Sequence, residues 1–368
     1  MVAVQLVSAR IGRVTGRGLA ANLAEVFPRP AVAGLVALLF IANTINIGAD
    51  LAAMGAAAKL VLGVDQDRGT LAFAALCLIL QVFVPYHAYV KFLKWLTLSL
   101  FAYVGVVFTV QIDWAEVLVR VVMPKVELSA ALLTTVVAVF GTTISPYLFF
   151  WQSAEEVEEM GVRNGKDLLH ETPELARQEL RRIRLDTFLG MGLSNLVAFF
   201  IILTAAETLF TAGFHQIETS AQAALALRPI AGPLAFILFS LGIIGTGLLA
   251  VPVLAGSSAY AVCELTGWRA GLEKKPAEAP AFYGVILAGI GLALGVIASP
   301  LDPIRTLYWS AVVNGVISIP IMAAMLVVAG RQAAMGRYVA TRPQLLFGWL
   351  ATAVMALAVL AMFVFAGT

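Results

Sequence analysis

The sequence predicts an all-α, polytopic membrane protein, and three observations carry that prediction. Hydrophobic residues make up 61% of the 368 positions and charged ones only 12%, whereas a soluble domain has roughly 25% charged and 45–50% apolar residues. Apolar runs near the ~20 residues that a helix needs to cross a hydrocarbon core recur from residue 31 to the end. The basic residues between those runs fall mostly on one side when loops are assigned alternately to two faces, as the positive-inside rule requires.

Taken in order, Met1 to Ala9 is apolar and precedes Arg10, Arg13 and Arg17. That order is the reverse of a signal peptide and reads as the end of a spanning helix. Nine full spans follow, at 31–63, 69–85, 88–111, 127–153, 187–209, 230–258, 282–299, 305–329 and 344–366. Pro28, Pro30, the run Asp65 to Gly69, Pro300 and Pro303 punctuate them where loops are expected. The chain is therefore one transmembrane domain over 1–368, with a single long charged connection at 154–186. Of the 24 basic residues, only Lys59, Arg68, Arg120, Lys125, Arg228 and Arg305 fall on the minority side. Residues 10–30 are thus expected in the cytoplasm and the C-terminus outside, with the lipid bilayer as the principal partner.

Several function classes are excluded. A net charge of +2 with dispersed basic residues gives no footprint for nucleic acid. Cys77 and Cys263 are the only cysteines; they read as packing residues, not a disulfide or ligand pair. No nucleophile-base pair, His-Glu metal motif or cofactor motif appears, so no enzyme activity, catalytic residue or cofactor is expected. His87, His170 and His215 fall in loops or at span ends. The acidic and basic residues from Glu155 to Arg184 read as a solvated tether, with Glu179 and Arg182 as a surface i,i+3 pair.

Two polar constellations inside the spans draw functional interest, because ionisable and polar groups at bilayer depth cost free energy. Asn43, Asn46 and Asp50 lie at i, i+3 and i+7 and share one helical face. That stripe must meet protein or water, either as a structural network between helices or as part of an ion path. The second is Gly141-Thr142-Thr143-Ile144-Ser145-Pro146-Tyr147. Proline removes a backbone donor and clashes with the preceding turn, so the span 127–153 is expected to break there. Interrupted helices persist in membranes where they line a cavity, and transporters use the freed carbonyls at mid-membrane depth. Ser194, Asn195, Thr246, Ser310 and Asn314 are weaker in-span candidates, and Gly242, Gly245 and Gly247 read as close helix packing.

At these residues the chain resembles the Nramp superfamily of divalent metal transporters, over nearly its whole length. The segment Asn46 to Gly55 is similar to that family's third helix, with Asp50 at its aspartate. Gly141 to Tyr147 resembles the interrupted sixth helix, and Leu6 to Leu19 the end of the second helix with its cytoplasmic loop. The resemblance implies a LeuT-like inverted-repeat fold with the first repeat truncated, residues 31–153 supplying spans three to six and 187–368 spans seven to eleven. The family's first helix, with its Asp-Pro-Gly type motif and half of the metal site, has no counterpart, so a late start site or a fragment is the expectation.

The resemblance also implies a function: secondary transport of divalent metal ions, in a plasma membrane of the bacterial inner-membrane kind. Ser145-Pro146-Tyr147 stands where the family has Met-Pro-His, and Gln152 where it has a later helix-six histidine. Exchanging a thioether for oxygen favours hard cations, a feature shared with the Nramp-related magnesium transporters. Manganese or magnesium is therefore expected over iron, with Ser145 and the Thr142 carbonyl as ligands and Thr143, Gly141 and Pro146 shaping the break. Ala53 replaces a frequent glutamate, which leaves Asp50 as the group for any proton symport. The alternatives are an organic-solute or amino-acid transporter of the same fold, and an inactive truncated membrane protein.

Overall fold

The computed structural model describes residues 1–84, 91, 95–124, 128–163, 173–214, 216–217, 219–297 and 302–366. All regular structure among them is helical. Helix α1 (Val2–Thr15) is buried along most of its length and ends at Gly16, whose φ of 66° gives the left-handed C-terminal turn that glycine adopts without strain. A short α2 (Leu19–Val26) follows, its first amides bonded to the Glu264 carboxylate at 3.0 Å (Ala20) and 3.4 Å (Ala21). An acidic group there complements the positive end of the helix dipole.

The axis of the molecule is α3 (Arg29–Leu62), 34 residues opened by proline in its first turn and closed at Gly63. It packs against α4 (Gln66–Phe83), α10 (Ala235–Thr266), α11 (Pro280–Ile297) and α12 (Pro303–Gly330). Between α3 and α4, a Cβ on Gly69 would come within 3.3 Å of the Cα of Gly55, so small residues bring the backbones together. Gly247 on α10 receives Met54, and Gly242 receives Leu100 and Ser99. These glycines mark close helix packing, as expected. Cys77 and Cys263 are buried free thiols in one apolar cluster.

A 3-10 turn (Leu96–Leu100) leads into α5 (Phe101–Val107), and α6 (Trp114–Val122) is capped by Asp113. The expected break then appears. Helix α7 (Ala130–Thr143) stops, Ile144 leaves helical geometry at φ −116° and ψ 61°, and α8 (Pro146–Arg163) begins. The long α9 (Pro173–Ala205) and the peripheral α13 (Arg342–Ala366) complete the bundle.

Among the described residues, six helical segments are long and apolar enough to cross a membrane: those within 29–62, 130–160, 176–210, 232–266, 303–330 and 342–366. The expected spans 69–85 and 282–299 correspond to the 18-residue helices α4 and α11. For 88–111, a helix at Leu98–Val107 is described, and residues 85–90 and 92–94 lie outside the described residues. The outer faces stay apolar: Leu189 is 71% exposed and Leu346 66%. Such surface is unsuited to water and suited to lipid chains.

The connection at 154–186 departs from expectation. Helix α8 runs on to Arg163, α9 starts at Pro173, and Glu156 is buried. Glu156, Glu159, Glu179 and Arg182 are drawn into the protein where α1, α8 and α9 meet, while Arg177, Arg181 and Arg184 stay exposed.

Helix α7 approaches α12 so closely that a Cβ on Gly141 would overlap the Ala311 carbonyl oxygen and the Gly315 amide. Gly141→Leu must separate the two helices, and overpacking costs about 1–3 kcal/mol or more. A lowered thermal midpoint of the detergent-solubilised variant, read by fluorescence-detected size exclusion, is the expected result. Gly34→Leu, where open space surrounds the position, should leave the midpoint unchanged.

Candidate ion pathway at the interrupted helix

The break frees backbone groups at a depth where an unsatisfied carbonyl costs several kcal/mol. Ser145 meets that need locally. It is buried, its hydroxyl donates to the Gly141 carbonyl at 2.7 Å, and the Thr142 carbonyl lies 3.1 Å away. Thr142 and Thr143 turn their hydroxyls back on their own helix, to the carbonyls of Ala138 (2.9 Å) and Val139 (3.0 Å). Their side chains are therefore occupied as donors, while their carbonyls are the groups the break releases. Pro146 starts α8 without needing a donor partner, and the Leu148 amide closes the first turn on the Ser145 carbonyl at 3.2 Å.

Facing the break, the polar stripe of α3 divides between two neighbours. Asn43 is fully buried, its Nδ2 within 2.9–3.0 Å of the Leu254 carbonyl and the Ser257 and Ser258 hydroxyls of α10. Its Oδ1 has no partner. Asn46 and Asn314 of α12 exchange two amide hydrogen bonds, at 2.9 and 3.1 Å. These two asparagines serve the structural reading of the stripe. Asp50 is different. It is half-buried, lies near Tyr147 of α8, and forms no hydrogen bond or ion pair with any described residue. An ionisable carboxylate inside a spanning helix, with no partner among the described residues, is a candidate cation-attracting group.

From the break, a polar chain runs along α8 toward its C-terminal end. Gln5 of α1 donates to Gln152 at 3.1 Å, and Gln152 donates to Glu156 at 3.3 Å. Arg182 gathers Glu156 (2.9 Å), Glu159 (2.9 Å), Glu179 (3.0 Å) and Asp186 (3.6 Å), while the buried Arg13 reaches Glu179 at 3.4 Å. Spacing in the sequence reveals the Glu179–Arg182 pair but not Glu156, 26 residues from its arginine. No local pattern encodes that distance. Ser8, whose hydroxyl donates to the Phe149 carbonyl, also fixes α1 to α8. Among the described residues, no cluster of three His, Cys, Asp or Glu side chains has metal-binding geometry. His87, His170 and His215 lie outside the described residues.

A bundle of apolar helices, one of them interrupted within an apolar span, defines the class: a multi-pass membrane protein of the LeuT-like, broken-helix architecture. The family follows from sequence. Residues 1–365 match the family model described as natural resistance-associated macrophage protein-like, and the chain belongs to the Nramp family. It is 26% identical over 360 residues to the divalent metal cation transporter MntH of Burkholderia ambifaria, covering 95% of this chain and 76% of the relative. The MntH of Pectobacterium carotovorum is 26% identical over 323 residues, or 84% of this chain and 70% of that one. Among solved structures, a glutamate-to-glutamine mutant of the Eremococcus coleocola manganese transporter superposes with a TM-score of 0.72 at 18% identity, over 98% of this chain and 76% of the other. A histidine-to-alanine mutant of the same transporter gives 0.71 at the same identity and coverage.

Removing Arg182 leaves Glu156 buried beside two further carboxylates. Breaking one partner of a buried pair typically costs about 3–5 kcal/mol, and Arg182 is partly exposed, so the lower end applies. Arg182→Gln should lower the thermal midpoint, and adding Glu156→Gln should recover part of the loss. A double variant no more stable than Arg182→Gln would refute the pairing.

Proposed function

We propose that this chain is a secondary transporter of divalent metal ions, with manganese and magnesium favoured over iron, and that the cation passes the break between α7 and α8. The observation that carries the reading is the helix interruption between Thr143 and Pro146, with Asp50, which has no partner among the described residues, acting on Tyr147 in the first turn after it. Thr142 supplies a carbonyl ligand and Ser145 a hydroxyl oxygen. The two curated relatives, named as divalent metal cation transporters, support the cargo class.

Hard-cation preference rests on the donor set. Ser145 offers oxygen, and Met54, a thioether elsewhere on α3, is buried against Gly247. Oxygen donors suit magnesium and manganese, and soft thioethers suit later metals. Asp50 is the group through which a proton would accompany the metal. Gln152, tied to Gln5 and Glu156, orients the cytoplasmic half-helix and does not titrate. In this reading residues 10–30 face the cytoplasm and the C-terminus the outside.

Proteoliposomes holding the purified chain should take up manganese and magnesium, with cadmium a weak competitor. Ser145→Met should make cadmium compete about tenfold better. A clear preference for iron or cadmium in the unaltered protein, or uptake unaffected by Ser145→Ala, would refute the ligand assignment. Asp50→Asn should abolish proton movement that accompanies metal uptake, monitored with a pH dye inside the vesicles; unchanged proton flux would exclude Asp50 from the path.

A further inference from the structure

A groove of about 1290 Å³ opens between α1, α9 and α13. Its walls are mostly apolar, with Leu6, Ile183, Phe188, Phe347, Leu350 and Met355 among them, and Phe140 and Ile144 reach it from the end of α7. Arg10, Arg177, Arg181 and Arg184 also line it. The last three stand at i, i+4 and i+7 and so share one face of α9. They are exposed, and none of them pairs with a carboxylate of a described residue. Arg10 donates to the Tyr338 and Val339 carbonyls at 3.4 and 3.1 Å, and its Nε is buried without a partner. The first turn of α13, with Thr341 and Gln344, lines the groove as well.

Depth and polarity match one leaflet of a bilayer. From Thr341 to Met355 the wall of α13 rises about 21 Å at 1.5 Å per residue. Half of a bilayer, headgroups included, is about 20–22 Å. The arginines lie on the side that the basic-residue bias assigns to the cytoplasm, and the cytoplasmic leaflet is the one that carries anionic lipids.

We infer that this groove binds one anionic phospholipid of the cytoplasmic leaflet, its chains along α9 and α13 and its headgroup among Arg10, Arg177, Arg181 and Arg184. A protein helix seated there would cover the apolar wall and leave the guanidinium groups unpaired. Free phosphate would pair with the arginines and leave the apolar wall bare. An anionic lipid satisfies both, and a zwitterionic one carries its own cation to the arginines.

The test adds phosphatidylglycerol or phosphatidylcholine to the delipidated full chain in detergent and counts bound lipid by native mass spectrometry, with thermal stabilisation as a second reading. Phosphatidylglycerol should be retained about tenfold over phosphatidylcholine. The exposed triple variant Arg177→Gln/Arg181→Gln/Arg184→Gln should lose that preference, and the corresponding triple lysine variant should keep it. Leu350→Trp, which fills the apolar wall, should weaken retention of both lipids. Equal retention of the two lipids, or an unchanged preference in the glutamine variant, overturns the proposal. Full stabilisation by inorganic phosphate alone also overturns it, since that marks a simple anion site. Metal uptake by the same variants is read separately, so failure of the lipid site and of the transport reading remain distinguishable.

Discussion

The structure depends on one constraint, the satisfaction of backbone groups freed where α7 stops at Thr143 and α8 resumes at Pro146. Inside a bilayer no water is at hand to do this, so the surrounding protein must. Ser145 covers the Gly141 carbonyl, and the lack of a side chain on Gly141 lets α12 close over the turn before it. Across the break the Ser145 hydroxyl also lies 3.1 Å from the Thr142 carbonyl, so one side chain serves two of the freed groups. The residues that meet this structural need are the same ones proposed to meet the cation.

The two half-helices are held by different means. Helix α7 is fixed by close apolar contact with α12 through Gly141, Gly315 and Val137. Helix α8 is fixed by polarity: Ser8 to Phe149, Gln5 to Gln152, and the cluster of Glu156, Glu159, Glu179, Arg13 and Arg182. Gly12 lies so close to the Ser153 carbonyl that α1 and α8 meet backbone to backbone. Helix α1 is therefore bound to the second half of the interrupted helix, and any displacement of that half must move α1 or break buried ion pairs. The glutamate at 264, clamping the start of α2, extends the same assembly to α10.

Much of the architecture is legible in the sequence, because hydropathy and span length report directly on the solvent. The break is legible too, since Gly141 and Pro146 state it in local terms. The stripe Asn43, Asn46 and Asp50 is visible by periodicity, but its division into two structural asparagines and one unpaired carboxylate is not. That division depends on which helices lie opposite, and Ser257, Ser258 and Asn314 are more than 200 residues away. The connection at 154–186 reads as a solvated tether in the sequence for the same reason. A mixed-charge run usually faces water, and only the meeting of α1, α8 and α9 turns this one inward.

The proposed transport path requires a cation at the break between α7 and α8. Anomalous diffraction from crystals of the protein grown with manganese tests it most directly. The account predicts a peak within coordination distance of the Thr142 carbonyl and the Ser145 hydroxyl. A peak only at the cytoplasmic carboxylates around Arg182, or none in the bilayer-spanning region, would contradict it.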